Sequence, residues 1–312
     1  MPIGSLKGFF FVPDHPETLA KFCTVTAAHE ILSSQSLRWS APNLFDDPFE
    51  PNHQTLLNFD PHIMLDAVLR TSIGMIFSPD EPRGNSPLAT VIRRWRDEDR
   101  FANPEEAEEV LRELMGRMVD QRQVEIDDLM ADWRRFTRHL RICCFSAKPD
   151  NLACWQRYGA NHRGLAIRFN VNEIAGDNAP RQIEYKNLRP EITSLKEQLN
   201  VVLHNERTYP QEFFLDKFLN KSSITNHEQE WRCFYHTTEA SSSRETDEEL
   251  WFDDRKFEPS AITAIYLGTR MAAADKKSFI DLIKEDYPHC KIFQASTLVG
   301  KYEIEFQRFI AQ

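Results

Sequence analysis

Long apolar runs are missing from this sequence of 312 residues. No run approaches the roughly 20 apolar residues that a transmembrane helix needs, so we expect no membrane-spanning segment. The aromatic run near the N-terminus ends at Pro13 and Asp14, which makes it too short for the apolar core of a signal peptide. Both absences favour a cytoplasmic protein.

Metal-binding cysteine pairs are also missing. The six cysteines form no CxxC pair and have no regular spacing. At least two of them fall in apolar runs typical of strands, where a free cysteine behaves as a small hydrophobic residue. We therefore interpret all six as reduced structural residues. A zinc site built from His139, Cys143, Cys154 and His162 is the alternative, but no ligand-pair spacing supports it.

Positive charge is in deficit, since 38 basic residues face 48 acidic ones and the formal net charge is -10. Nucleic acids and anionic membranes both attract clustered positive charge, so we expect no broad nucleic-acid surface and no membrane surface. Neither GxGxxG nor GxxxxGKS/T occurs, which disfavours a Rossmann or P-loop enzyme. A hydrophobic content of 41% is ample for a folded core.

The apolar patterning predicts an α+β fold with a mixed, mostly antiparallel sheet. Residues 1–18 are expected to form an N-terminal extension, and residues 19–312 a single domain with a helical insertion at about 56–141. Strands are expected at 19–23, 37–40, 142–146, 165–169, 182–185, 231–237, 262–267, 291–295 and 302–309. Helices are expected at 27–34, 62–77, 86–101, 104–120, 124–138, 152–158, 192–206, 211–221 and 271–286.

The stretch from Ile142 to Phe169 holds the densest set of candidate site residues. Its opening apolar run predicts a buried strand that ends at Ser146. A short helix follows, on which Trp155 and Tyr158 lie three residues apart and project from one side. His162 lies in the turn before the returning strand. This combination favours a ligand cleft with an aromatic wall, and a packed core unit anchored by Trp155 is the alternative.

Two pairs of acidic residues are further candidates. Glu228 and Glu230 lie two apart in a stretch predicted as a strand, so they are expected to share a face. Their repulsion should raise at least one carboxyl pKa unless a cation or a substrate lies between them. A solvent-facing strand edge is the alternative. Asp46 and Asp47 lie in a turn-rich loop, where we expect them to accept hydrogen bonds from backbone amides.

Three motif-bearing stretches follow one another along the chain. They are LAKFCT with LRWSAPNLFDDPFE, then CFSAKPDNLACWQRYGANHRGLAIRF, and finally KSSITNHEQEWR. Their order and content resemble a bacterial family, domain-of-unknown-function family 2971, over Leu19 to Ile310. That family's pattern reads approximately FNDPFE, then CFS, then MWxxYAxxHxG, and then a final lysine with ExEWR. The family description states no activity.

The order of these elements also looks like the ADP-ribosyltransferase plan. In that plan a basic residue on the first strand holds the dinucleotide, while a serine and an aromatic residue orient the nicotinamide ribose and ring. A glutamate bonds the ribose hydroxyl and stabilises an oxocarbenium-like transition state. The resemblance implies NAD as a co-substrate without a tightly bound cofactor. Its residues here would be Lys21, Ser146, Tyr158 or Trp155, Glu230 as the catalytic carboxylate, and Glu228 orienting the nucleophile.

Three classes of function stay open on the sequence alone. The first is an ADP-ribosyltransferase-like enzyme of effector or defence type, with an undetermined macromolecular acceptor. The second is a non-catalytic sensor that holds a small nucleotide in the cleft of Trp155, Tyr158 and His162. The third is a metal-dependent hydrolase that uses the four acidic residues of the two pairs around a divalent ion.

Overall fold

The computed structural model describes residues 15–82, 86–174, 179–238 and 251–309. Its contacts divide the chain into two compact units. One unit draws on residues 1–46, 140–187 and 221–312, and the other on residues 47–139 and 188–220. Most of the predicted N-terminal extension lies outside the described residues. The single-domain organisation stays a prediction, and the predicted helical insertion falls in the second unit except for residues 140 and 141, which belong to the first.

The secondary structure follows the predicted alternation of strands and helices in the first unit and is helical through most of the second. Labelled in chain order, the elements are β1 (Thr18–Cys23), α1 (Val25–Ser34), β2 (Ser36–Ser40), α2 (Pro61–Phe77), α3 (Pro87–Asp97), α4 (Pro104–His139), β3 (Leu140–Ser146), α5 (Leu152–Arg157), β4 (Leu165–Asn170), α6 (Val171–Ile174), β5 (Arg181–Gln182), β6 (Glu184–Lys186), α7 (Leu195–His204), β7 (Asn220–Ser222), β8 (Glu230–His236), β9 (Phe252–Lys256), β10 (Ile262–Leu267), α8 (Ala273–Asp286), β11 (Lys291–Thr297) and β12 (Ile304–Arg308).

The main sheet runs in the order β12-β11-β10-β4-β1-β3-β2-β9, and β8 pairs with β3 and carries β5. Every pairing in this sheet is antiparallel except β10 with β11, which are parallel. The chain crosses between those two strands through α8, as parallel neighbours require. The predicted α+β fold with a mixed, mostly antiparallel sheet is therefore confirmed.

The central strands bury both of their faces, which explains their nearly continuous apolar runs. On one face, Leu19 and Phe169 belong to the same core cluster as Phe279 of α8, and we call this the α8 face. On the other face, Ala20 packs in a cluster with Trp155 of α5, and we call this the α5 face. The two faces carry different polar side chains, and that difference decides where a site forms.

In the second unit, the predicted break between two helices near residue 122 does not exist. Helix α4 is continuous over 36 residues, and its buried side chains include Met115, Val119 and Ile126 on either side of the predicted break. The sequence between them contains no proline and keeps the helical spacing of buried positions, so nothing interrupts the helix. No helix among the described residues is both long enough and apolar enough to cross a membrane.

The predicted helix at 211–221 is also wrong. Two short 3-10 helices, Pro210–Phe213 and Leu215–Leu219, occupy this stretch, and β7 follows directly. Phe214 packs edge-on against Trp133 at 5.1 Å between ring centroids, and Phe218 stacks on the same indole at 5.4 Å. Tertiary packing around one tryptophan therefore sets the local conformation, as it often does, because helix propensity alone is a weak determinant of structure.

Candidate functional site

The ends of β3 and β8 bring together the two strongest candidates. Ser146 is the direct cross-strand neighbour of Glu230, and Ala20 of β1 lies on the other side of Ser146. Directly opposed residues of antiparallel strands project to the same face. Ser146 and Glu230 therefore lie together on the α5 face, and both are buried.

Glu228 also lies beside Ser146, but it belongs to a turn and not to the strand that was predicted to contain it. A 3-10 helix spans Ser223–Glu228, and Gln229 has a φ of 47°, so β8 begins only at Glu230. The hydroxyl of Ser146 donates to the backbone oxygen of Glu228 at 2.9 Å, and Nδ2 of Asn151 donates to the same oxygen at 3.0 Å. The turn is thus fixed to β3 and to the start of α5.

The alternative of a solvent-facing edge is wrong for both glutamates. Glu228 is 2% exposed and Glu230 is 6% exposed. Lys221 of β7 lies between them, with Nζ 2.7 Å from Oε2 of Glu228 and 2.9 Å from Oε2 of Glu230. Burial alone would lower the pKa of the Lys221 ammonium, but the carboxylates outweigh it and raise that pKa. The cation that two neighbouring carboxylates require is therefore supplied by the chain.

Glu230 is held in its charged form. Its Oε1 accepts a hydrogen bond from Nε of Arg232 at 2.6 Å, while Oε2 contacts Lys221. Burial raises the pKa of Glu230, but Arg232 and Lys221 overcome that effect and lower it to about 2. A carboxylate with so low a pKa is a fixed negative charge and a poor general base at neutral pH.

Two side chains of α5 and its C-terminal end form the solvent-reachable rim of this cluster. Nη1 of Arg157 lies 3.0 Å from Oε1 of Glu228, and the Tyr158 hydroxyl donates to the same oxygen at 3.3 Å. The Arg157 side chain is 45% exposed, and Tyr158 is 39% exposed. Burial raises the pKa of the Tyr158 hydroxyl, so it stays protonated as a donor. A ligand that approached the buried charges would meet these two groups.

Trp155 is a core anchor and not a cleft wall. It is fully buried, packs edge-on against Phe22 at 5.2 Å, and donates from Nε1 to the Pro149 backbone oxygen at 2.7 Å. His162 stacks on the indole at 6.1 Å, and burial together with Arg270 lowers its pKa. The aromatic wall predicted from Trp155 and Tyr158 therefore reduces to Tyr158.

Lys21 lies on the α8 face, away from the other candidates. Ala20 is in register with Ser146, so the next side chain along β1 projects to the opposite side of the sheet. Nζ of Lys21 donates to the Cys144 backbone oxygen at 3.2 Å and lies 3.6 Å from Sγ of Cys143. The assignment of Lys21 to one cleft with Ser146 and Glu230 is therefore wrong.

The geometry of the described residues supports neither metal hypothesis. No three or more His, Cys, Asp or Glu side chains there come together as a metal would require. This covers both the four-residue zinc set and the four acidic residues of the hydrolase hypothesis. All six cysteines are free thiols. Asp47 accepts a hydrogen bond from the Phe49 amide at 2.9 Å, which is the loop role expected for it.

Sequence reasoning missed the cations of the site. Lys221 opens the segment KSSITNHEQEWR, and Arg232 ends it, yet neither was assigned a role. The available signal was the need for a positive charge near two carboxylates placed two residues apart. Arg157 gave no comparable signal, because an arginine at the end of a short helix is common on protein surfaces.

Fold and site together define an α+β protein with a buried cluster of two glutamates, one lysine and one arginine beside a serine, where β3 ends and β8 begins. A scan of protein-family models, a search of curated proteins and a search of solved structures each find no match to this chain.

Proposed function

We propose that this chain is an ADP-ribosyltransferase-like enzyme of the bacterial family that its motifs resemble, acting in the cytoplasm on NAD as a co-substrate. The observation that supports it is the shared contact of Glu228 and Glu230 with one ammonium, beside Ser146. Charges that are fixed before the reaction, next to the place where charge develops in the transition state, are what the cleavage of such a bond requires.

In this proposal Glu230 stabilises the positive charge that develops on the ribose. The bond between C1′ and the nicotinamide nitrogen breaks, and nicotinamide leaves with the electron pair. Water or an acceptor hydroxyl then adds to C1′ and releases a proton to solvent. Ionised carboxylates have about four lone-pair sites, and Glu230 uses two of them for Lys221 and Arg232. The remaining sites accept a ribose hydroxyl, and the preorganised charge lowers the barrier.

The rim and Glu228 supply the other roles. Tyr158 offers a ring face for stacking on the donor, and Arg157 offers a guanidinium to its diphosphate in place of Lys21. Glu228 orients the incoming nucleophile. Glu228→Gln should therefore impair transfer to an acceptor more than hydrolysis of NAD, which rate measurements with and without an acceptor would separate.

A calorimetric titration of NAD, with nicotinamide release followed in parallel, tests the proposal. Wild-type protein should bind NAD and release nicotinamide. Tyr158→Ala should weaken NAD binding by about 1 kcal/mol or somewhat more, because it removes a stacking face. Tyr302→Ala is the matched control, since Tyr302 is 99% exposed outside the cluster, and it should leave binding unchanged. Wild-type protein that does not bind NAD would overturn the proposal.

A second candidate function is a sensor that binds a nucleotide without turning it over. The observation that favours it is that all four oxygens of the two glutamates already contact cations, in a cluster that is almost wholly buried. Such a cluster is rigid and leaves little freedom for chemistry at its centre. This candidate predicts that the wild type binds NAD yet releases no nicotinamide over hours.

A further inference from the structure

A cavity of about 60 Å³ lies on the α8 face at the β9 end of the sheet, away from the carboxylate cluster. Leu37 and Trp39 of β2, Ile174 of α6 and Phe257 supply its apolar walls. One water molecule needs about 10–15 Å³ of such a cavity, so this space suits a group of a few heavy atoms. The walls alone favour a small ligand with an apolar body.

Arg255 of β9 adds a positive charge to this cavity. Its guanidinium carbon lies 4.4 Å from the ring centroid of Tyr235 and 5.3 Å from that of Trp39. The two rings pack edge-on against each other at 5.2 Å, so they form a fixed support. Among the described residues, the exposed guanidinium of Arg255 makes these ring contacts but no hydrogen bond or ion pair. Its planar set of N–H donors is therefore available to a ligand.

The acidic side chains around Arg255 are already engaged. Both oxygens of Glu173, which lines the cavity, accept hydrogen bonds at 2.7 and 2.8 Å. Oδ2 of Asp253 contacts Nε of the buried Arg141 at 3.1 Å. Lys256, the other cation that lines the cavity, donates a hydrogen bond to a backbone carbonyl, so its partner there is not an acidic side chain. Among the residues that the structure describes, no acidic side chain therefore pairs with Arg255.

We propose that this cavity binds a small organic carboxylate. The carboxylate oxygens would accept paired hydrogen bonds from Arg255, which is the bidentate geometry that a guanidinium matches. A short apolar chain would then lie against Trp39 and Phe257. A phosphate fits less well, because the four apolar wall residues offer it no donors in return for its hydration. The inference does not depend on the proposed NAD chemistry, since the cavity lies on the other face of the sheet.

Sodium butyrate is the probe, and the indole N–H signal of Trp39 in a two-dimensional ¹H–¹⁵N NMR spectrum is the readout. Trp39→Phe identifies that signal by its loss. Butyramide, which has the same shape without the charge, and inorganic phosphate are titrated in parallel. The variants are Arg255→Gln and Arg255→Lys. Arg38→Gln is the matched control, because Arg38 belongs to the same β2–β9 ladder but projects to the other face, where it pairs with Asp254 at 2.9 Å.

Butyrate should shift the Trp39 signal saturably, and butyramide and phosphate should not. Arg255→Gln should weaken butyrate binding by about tenfold or more, the loss expected of one charge-assisted contact. Arg255→Lys should bind butyrate with an affinity between those of the wild type and Arg255→Gln, because lysine keeps the charge but lacks the paired N–H donors of the guanidinium. The affinity of Arg38→Gln for butyrate should stay within about twofold of that of the wild type. No shift in the wild type, equal binding by Arg255→Gln, or equal shifts with phosphate would each overturn the proposal.

Discussion

Two largely buried lysines, Lys221 and Lys21, lie on opposite faces of one sheet and contact different kinds of chemical group. Lys221 contacts two carboxylates, at 2.7 and 2.9 Å, on the α5 face. Lys21, on the α8 face, contacts a backbone carbonyl, a thiol and the ring of Phe145 at 5.4 Å. A buried cation paired with anions builds a charged cluster, whereas one among neutral groups mainly fills space with its stem. The site therefore forms around Lys221.

The largest expected effect is the loss of stability on Lys221→Met. The substitution removes the cation that contacts both glutamates and leaves two carboxylates buried side by side. Breaking a buried ion pair in this way costs about 3–5 kcal/mol. Urea denaturation at pH 7 measures the change in the free energy of unfolding, and Lys301→Met at an exposed position is the control. A loss below about 1 kcal/mol would mean that the cluster carries little energy.

The next largest expected effect is on how the stability of the protein depends on pH. The pKa of Glu230 falls from an ordinary 4.5 to about 2 in the folded protein. A depressed folded pKa stabilises the protein above the unfolded value, and this contribution is lost as pH falls from about 4.5 towards 2. It amounts to about 3 kcal/mol for a shift of this size. Glu230→Gln should lack this part of the pH dependence in urea denaturation, and exposed Glu305→Gln should retain it. Parallel curves for Glu230→Gln and wild type would contradict the ion-pair cluster.

Lys21→Met should produce the smallest effect. Methionine keeps most of the volume of the stem, and no carboxylate loses its partner, so stability should change by no more than about 1 kcal/mol. NAD binding should stay the same, because Lys21 lies on the other face of the sheet from Glu230. Calorimetry on the folded variant checks this. A loss of NAD binding would restore the dinucleotide role that the motif resemblance assigns to Lys21.

The fold was predictable where apolar residues keep a regular period. β1, β3, β4 and β10 carry buried runs, and turn residues bound them. β9 was missed because its sequence, FDDRK, is charged and has no apolar period. It is a strand because it pairs along its whole length with β2, where Asp254 meets Arg38. Such pairing partners are distant in sequence and leave no local signal.

The site was predictable in residue type but not in geometry. Ser146, Glu228 and Glu230 do come together, yet only the register of β1, β3 and β8 decides which side of the sheet each neighbour faces. Side chains alternate between the two faces along a strand, so the face on which Lys21 lies depends on a register that the sequence does not show. Lys21 was therefore predicted on the wrong face. Lys221 reaches both glutamates through a turn that the left-handed Gln229 closes. A non-glycine residue with positive φ is uncommon, and no sequence pattern here predicts that Gln229 adopts this conformation.

The rate of nicotinamide release by Glu230→Gln tests the role of the cluster most directly. If Glu230 supplies the negative charge that stabilises the ribose transition state, glutamine keeps the size of the side chain and loses most of that stabilisation. The NAD dissociation constant should then change little, while turnover falls by about 100-fold or more. Retained NAD binding also shows that the variant is folded. Turnover by Glu230→Gln equal to that of the wild type would contradict a catalytic role for Glu230.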